Sequence, residues 1–205
     1  MPANALGPWS AHTVFIIGVA YVATLGIGFS VYGLNEPVVD PILAVMEVLT
    51  MVSALAMVIL MAAIHDRAPA HRRVHGVIAL SFTVLFAGIT CAVHFVELTA
   101  VRQAASGGIV WPSPEYAAEL LAWDLFLGLA LLFAAPVFES QGLERGVRRG
   151  LLISGGLCVA GIVGPVVGNM RLQLVGVFGY AVVLPVTCLM LARVFRLAPN
   201  SSSPG

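Results

Sequence analysis

The sequence predicts an all-α membrane protein: a bundle of six transmembrane helices with both termini cytoplasmic. Three observations predict it. The 205 residues are 60% hydrophobic and only 10% charged, with a mean hydropathy of +0.99, where a soluble domain carries about 25% charged residues. Six apolar runs each reach the roughly 20 residues that a helix needs to cross hydrocarbon. The arginines are dense in alternate connections and sparse in the others.

The predicted spans are Thr13–Leu34, Pro41–Ile64, Val74–Leu98, Tyr116–Phe138, Val147–Gly168 and Leu172–Arg193. Together they make a single domain over residues 1–197. The Ser/Pro/Gly-rich tail over residues 198–205 is expected to be disordered. The opening MPANALGPWSAH has no positively charged stretch and no small-residue exit site follows it, so the first run reads as a retained span. That span carries four glycines, with Tyr21 and Thr24 nearly on one face. In the fifth span Gly156, Ala160, Gly164 and Gly168 recur every four residues. Such a stripe lets a second backbone approach closely, either as a seam inside the bundle or as a contact between copies in a homo-oligomer. Pro165 and Pro185 should kink spans five and six.

Composition excludes several functions. All ten cationic residues are arginine. Without lysine there is no retinal or pyridoxal Schiff base and no Walker-type phosphate loop. Net charge is zero and no basic run exceeds two residues, so there is no footprint for nucleic acid. Cys91, Cys158 and Cys188 each sit inside an apolar run, and they read as small buried hydrophobes.

Orientation follows the positive-inside rule. Arg67, Arg72, Arg73, Arg145, Arg148, Arg149, Arg193 and Arg196 fall on one side of a six-span chain. The other side has only Arg102 and Arg171, beside Glu36, Asp40 and Glu115. The arginine-rich side is therefore predicted to be cytoplasmic, in a bacterial inner membrane.

Within this frame every acid inside a span, and His94 with them, falls in the outer third. Glu47 enters on span two, His94 and Glu97 close span three, Glu119 and Asp124 open span four, and Asn169 follows span five. A carboxylate at mid-membrane costs about 2.5–3.5 kcal/mol on insertion scales, and less near the edge. Glu97 and Glu119 read equally well as markers of where helices meet water. Glu47 and Asp124 lie deeper and stand by default as functional candidates. His94 and Glu97 share a face, as do Glu47 and Thr50. Glu119 and Trp123 share a stripe, from which Asp124 lies about 140° away at 3.6 residues per turn. Glu119 and Asp124 cannot both point at one spot unless the helix distorts or the pocket wraps it; the greater depth of Asp124 favours it as the pocket-facing acid, with a structural partnership to Arg171 or Asn169 as the alternative.

Acid–base chemistry on a lipophilic small molecule drawn from membrane lipid is the leading expectation. A carboxylic acid in a low-dielectric site can hold its proton near neutral pH and donate it. Glu47, His94, Glu97 and Asp124 are the candidate acid, base and orienters. Tyr21, Thr50, Glu119, Trp123 and Asn169 are candidate substrate contacts. The reaction would be an isomerisation or cyclisation without a cofactor. A metal is not expected, since His94 is the one histidine deep in a span and a lone HxxE is weak. A transporter or lipid carrier is a further reading, ranked after a sensing or assembly module and weakened by the apolar inner two-thirds of the spans. The sensing or assembly module predicts acids paired with arginines or capping helix ends. The long connection from Thr99 to Glu115 would then be a docking surface, or alternatively a lid with Trp111 at the interface.

Two stretches, VHGVIALSFTVLFAGITCAVHFVELTAVRQ and WDLFLGLALLFAAPVFESQGLERGVRR, are similar to an uncharacterised family of small bacterial six-span membrane proteins, a likeness that conveys no activity. The size, the span number and the intramembrane acids also resemble the integral-membrane terpene cyclases of meroterpenoid and indole-terpenoid pathways. That resemblance implies a buried acid protonating an epoxide or alkene. No motif aligns residue by residue, so no catalytic assignment is carried over.

Overall fold

In the computed structural model the described residues are 3–33, 38–104 and 108–197. They are 88% helix and contain no strand. Six helices follow one another: α1 Ala3–Tyr32, α2 Ile42–Arg67, α3 Ala70–Val101, α4 Pro114–Val137, α5 Gly142–Val166 and α6 Met170–Leu197. Each is long and apolar enough to cross a bilayer, so the chain is a multi-pass integral membrane protein. The predicted tail over 198–205, the end of span one at Leu34, and Glu36 lie outside the described residues.

Local chemistry sets the helix ends. Helix α1 starts ten residues before the predicted Thr13, because its polar side chains fold back onto their own helix. Ser10 Oγ donates to the Leu6 carbonyl at 2.7 Å, Thr13 Oγ1 donates to Trp9 at 3.0 Å, and His12 Nδ1 meets the Pro8 carbonyl at 2.6 Å. Hydroxyls satisfied this way do not break a helix in an apolar setting. The helix stops at Gly33, whose φ of +96° is the left-handed conformation that glycine adopts without a Cβ penalty. Helix α4 opens on Ser113, which accepts the Tyr116 N–H at 3.2 Å, with Pro114 in the first turn. Helix α6 opens on Asn169, which accepts the Arg171 N–H at 3.1 Å.

Three helices contain π segments: Glu97–Val101 in α3, Leu121–Leu127 in α4 and Gly179–Val183 in α6. Each inserts one residue per turn and re-aims the side chains around it. As predicted, both prolines disturb their helices. Helix α5 breaks at Ile162, just before Pro165. The π segment of α6 ends just before Pro185, whose missing N–H frees a carbonyl one turn earlier.

The helices form a closed ring in chain order, each packed on the next and α6 returning to α1. The core runs through the inner face of the ring, with Met57, Leu60, Phe86, Leu131, Leu151 and Leu191 fully buried. Ile16, Val84, Phe95 and Val166 point outward, which costs little where lipid replaces water. The arginine-rich end is laced together: Arg67 pairs with Glu144, and Arg72 with Glu139 at 3.1 Å, while Arg148 donates to Ser140 Oγ at 2.9 Å. At the opposite end, here called distal, Arg102 pairs with Asp40 at 2.9 Å.

The small-residue stripe of span five is not a seam inside the bundle. Gly156 and Ala160 point outward and Gly168 lies beyond the helix; only Gly164 is buried, against Gln173. The close backbone contacts use the neighbouring face instead. A Cβ on Gly155 would come within 2.7 Å of the Gly128 carbonyl, and one on Gly161 within 2.7 Å of the Gly176 Cα. A four-residue repeat drifts around a helix of 3.6 residues per turn, so the stripe and the seam diverge.

Candidate functional site

The ring does not close tightly at its distal half. There α1, α2, α4 and α6 enclose a cavity of about 420 Å³. Its lining on α2 runs from Leu43 to Met57, about 21 Å along the helix at 1.5 Å per residue. The lobe nearer the membrane centre is apolar, bounded by Val14, Ile17, Met57, Leu184 and Pro185. The distal lobe gathers Tyr21, Glu47, His94, Glu119, Trp123 and Gln173.

Three of those residues form one chain of contacts across three helices. His94 Nδ1 meets Glu47 Oε2, and His94 Nε2 meets Glu119 Oε1 at 2.8 Å. Trp123 Nε1 donates to the same Glu119 oxygen, so Oε1 takes two partners. Glu119 Oε2 is buried and has none. The ring of Trp123 is wedged edge-on against Phe86, centroids 4.8 Å apart, and tilted onto Tyr180 at 4.7 Å. Packing on both sides fixes the indole and with it the Glu119 rotamer.

Above this lobe lies a wider vestibule of about 650 Å³ lined by Asp40, Glu97, Arg102 and Trp111. Leu43, Glu47, Ile109 and Tyr116 line both spaces and separate them. Residues 108–113 are drawn down over the cavity, because the Ile109 N–H donates to Glu97 Oε2 at 2.8 Å. Trp111 packs edge-on against Tyr116 with centroids 6.1 Å apart. This segment forms the roof of the cavity, and Glu47 is the carboxylate that reaches both sides of it.

The predicted site residues therefore separate. Glu47, His94, Glu119, Trp123 and Tyr21 meet at the cavity. Thr50 lines it too, but its hydroxyl donates to the Met46 carbonyl at 2.8 Å. Glu97 shares a face with His94 yet turns to the roof, since the π segment that starts at Glu97 unwinds the helix there. Asn169 is exposed and serves as the cap of α6.

The expectation that Asp124 faces the pocket is overturned. Asp124 is fully buried on the far side of α4, between Gly161 of α5 and Gly176 of α6. Gln173 Nε2 reaches its Oδ2 at 3.5 Å, and Oδ1 has no partner. Depth alone was a poor guide because α4 borders the cavity on one face and α5 on the other. The 140° between Glu119 and Asp124 divides those faces, and the cavity lies on the Glu119 side.

Three cavity residues escaped the sequence reading: Tyr116, Gln173 and Tyr180. Tyr116 lies three residues before Glu119, and Tyr180 lies seven after Gln173, both helical spacings that mark a shared face. Gln173 Nε2 stands 3.4 Å from the Tyr180 hydroxyl.

Among the described residues no group of three His, Cys, Asp or Glu side chains is disposed to hold a metal ion. Both nitrogens of His94 already face carboxylate oxygens, so a metal at this ring would have to displace one of them. Cys158 and Cys188 are buried and Cys91 half-buried, all three unpaired. None of the protein-family models, curated proteins or solved structures compared with the chain matches it.

Proposed function

We propose that this multi-pass membrane protein is an enzyme performing acid–base chemistry, an isomerisation or cyclisation, on a lipophilic substrate held in the 420 Å³ cavity. One observation carries the reading. A histidine bridged between two carboxylates stands at the polar end of an elongated apolar cavity, and one oxygen of the inner carboxylate is unoccupied. A buried polar atom left without a partner is costly, and a reacting group placed against Glu119 Oε2 would satisfy it.

The chemistry balances without a cofactor. Isomerisation and cyclisation add one proton to the substrate and remove one. Glu119 acts as the acid, giving its proton from Oε2 to the substrate, and Glu47 with His94 supplies the base side. The imidazole resets the pair, because one proton can leave Nε2 towards Glu119 as another enters Nδ1 from Glu47. Glu47 also lines the vestibule, which gives this relay an exchange point with the aqueous side. Trp123, Tyr180 and Tyr21 supply π faces and phenol dipoles against developing positive charge. The terpene-cyclase likeness is compatible with this chemistry and adds nothing to its support.

The module reading expects acids paired with arginine. Instead the arginine pairs of Glu139, Glu144 and Asp40 lie at the two ends, and the cavity acids face His94 and an indole. The test is mass spectrometry of lipids that co-purify with wild type and with Glu119→Gln. The account expects the variant to retain a lipid whose mass or chromatographic behaviour differs from that bound by wild type, as substrate differs from product. The same bulk lipids in both preparations would overturn it.

A further inference from the structure

The head group that this cavity accepts follows from the charge of its lining. An imidazolium donating to two carboxylates is net negative. With Glu119 holding a proton on Oε2, as the acid step requires, the trio is neutral, and in neither state is it cationic. No arginine lines the cavity, and the chain has no lysine. Arg102, which lines the vestibule, is engaged by Asp40 at 2.9 Å. An anionic head would therefore sit in a desolvated site with no cation free to neutralise it, which burial penalises. The four aromatic side chains at the polar lobe, Tyr21, Tyr116, Trp123 and Tyr180, favour the opposite sign or no charge.

The route in follows from how α6 meets α1. The two helices touch closely where a Cβ on Gly18 would come within 2.8 Å of the Pro185 ring, and again where Gly7 faces Phe195. Distal to Pro185 they separate. The π segment Gly179–Val183 and Pro185 together bend α6, and α1 packs mainly on the Leu184–Leu197 half of α6. Tyr21 and Leu25 of α1 and Leu174, Val177 and Ala181 of α6 all line the cavity, yet Leu174 is 60% exposed and lies one turn from the exposed Phe178 on the same helix. A residue that borders the interior and the exterior at once marks a lateral opening.

We infer that the cavity takes a lipid with one apolar tail and an uncharged or cationic head, entering sideways from the bilayer between α1 and α6, and that it rejects lipids with phosphate or carboxylate heads. This rests on reading the cavity as a substrate site but not on turnover. The tail fills the lobe between Val14 and Leu184, and the head stops at Glu119 and His94.

The experiment uses the full-length protein in nanodiscs and three photoreactive amphiphiles that share one diazirine-bearing hexadecyl chain: the alcohol, the amine and the phosphate monoester. Cross-linked peptides are mapped by mass spectrometry. The alcohol and the amine are expected to label Met46–Met57 and Val177–Leu184, and unlabelled hexadecanol should compete. The phosphate ester should label those peptides at least about tenfold less. Leu174→Trp, an exposed position whose change should leave folding intact, is expected to reduce cavity labelling, while Val166→Trp on the outward face of α5 leaves it unchanged. Equal labelling by the phosphate ester, labelling confined to outward-facing residues, or no effect of Leu174→Trp would overturn the inference. Saturable labelling by the alcohol with no chemical change in any lipid would retain the inference and remove the enzymatic reading instead.

Discussion

Glu119 and Asp124 sit five residues apart on one helix, one lining the cavity and the other packed between α5 and α6. Glu119→Gln keeps the size of the side chain and one acceptor oxygen for His94 and Trp123, but it removes the transferable proton. It is expected to lower turnover by about 100-fold or more while the melting temperature stays close to wild type, a pairing checked by product analysis alongside a thermal melt in detergent. Asp124→Asn is expected to leave turnover unchanged. It alters only the contact with Gln173 and the unpartnered Oδ1, with a stability change of about 1 kcal/mol, read in the same melt. The sequence showed which acids lie inside spans, since charge in an apolar run is conspicuous. It did not show which acid faces the cavity, because that depends on which neighbours flank α4. The unsigned residues Tyr116, Gln173 and Tyr180 were harder still: polar but uncharged side chains stand out little against an apolar background.

At the scale of elements, close backbone packing and helix distortion place these side chains. Gly161 and Gly176 let α5 and α6 approach until Asp124 is enclosed between them. Gly176→Val would overpack that contact at a cost of about 1–3 kcal/mol, and the expected result is a lowered melting temperature with unaltered labelling of the cavity by a photoreactive alcohol. In α6, Pro185→Ala restores a backbone N–H and removes a cause of the bend. The helix should straighten towards α1 and admit less of the same probe. The spans themselves were plain from hydropathy and the proline kinks from composition. The π segments were not, because no residue type specifies them; they arise where packing of the whole ring favours one extra residue in a turn. The stripe of Gly156, Ala160, Gly164 and Gly168 misled for a related reason, since its period departs from the helix and the true seam follows different residues.

Across the whole molecule, polar groups are segregated along the length of the helices. One end carries the pairs of Arg67 and Arg72, the middle is an apolar core, and the distal half holds the cavity under its roof of Gly108–Ser113. Six spans and the alternation of arginine were legible because lipid imposes them on composition directly. The positive-inside rule predicts a cytoplasmic arginine-rich end. An impermeant maleimide applied to intact expressing cells should therefore label Glu115→Cys and should label Ser140→Cys only after lysis; the reverse pattern would invert the topology. Proton exchange between a lipid and the trio of Glu119, His94 and Glu47 would be read out by solvent deuterium. Purified protein is incubated in heavy water with a membrane lipid extract, and the lipids are then weighed by mass spectrometry. The account predicts one lipid species gaining carbon-bound deuterium with wild type and not with Glu119→Gln. Deuterium in no species with wild type, or equal incorporation with the variant, would contradict it.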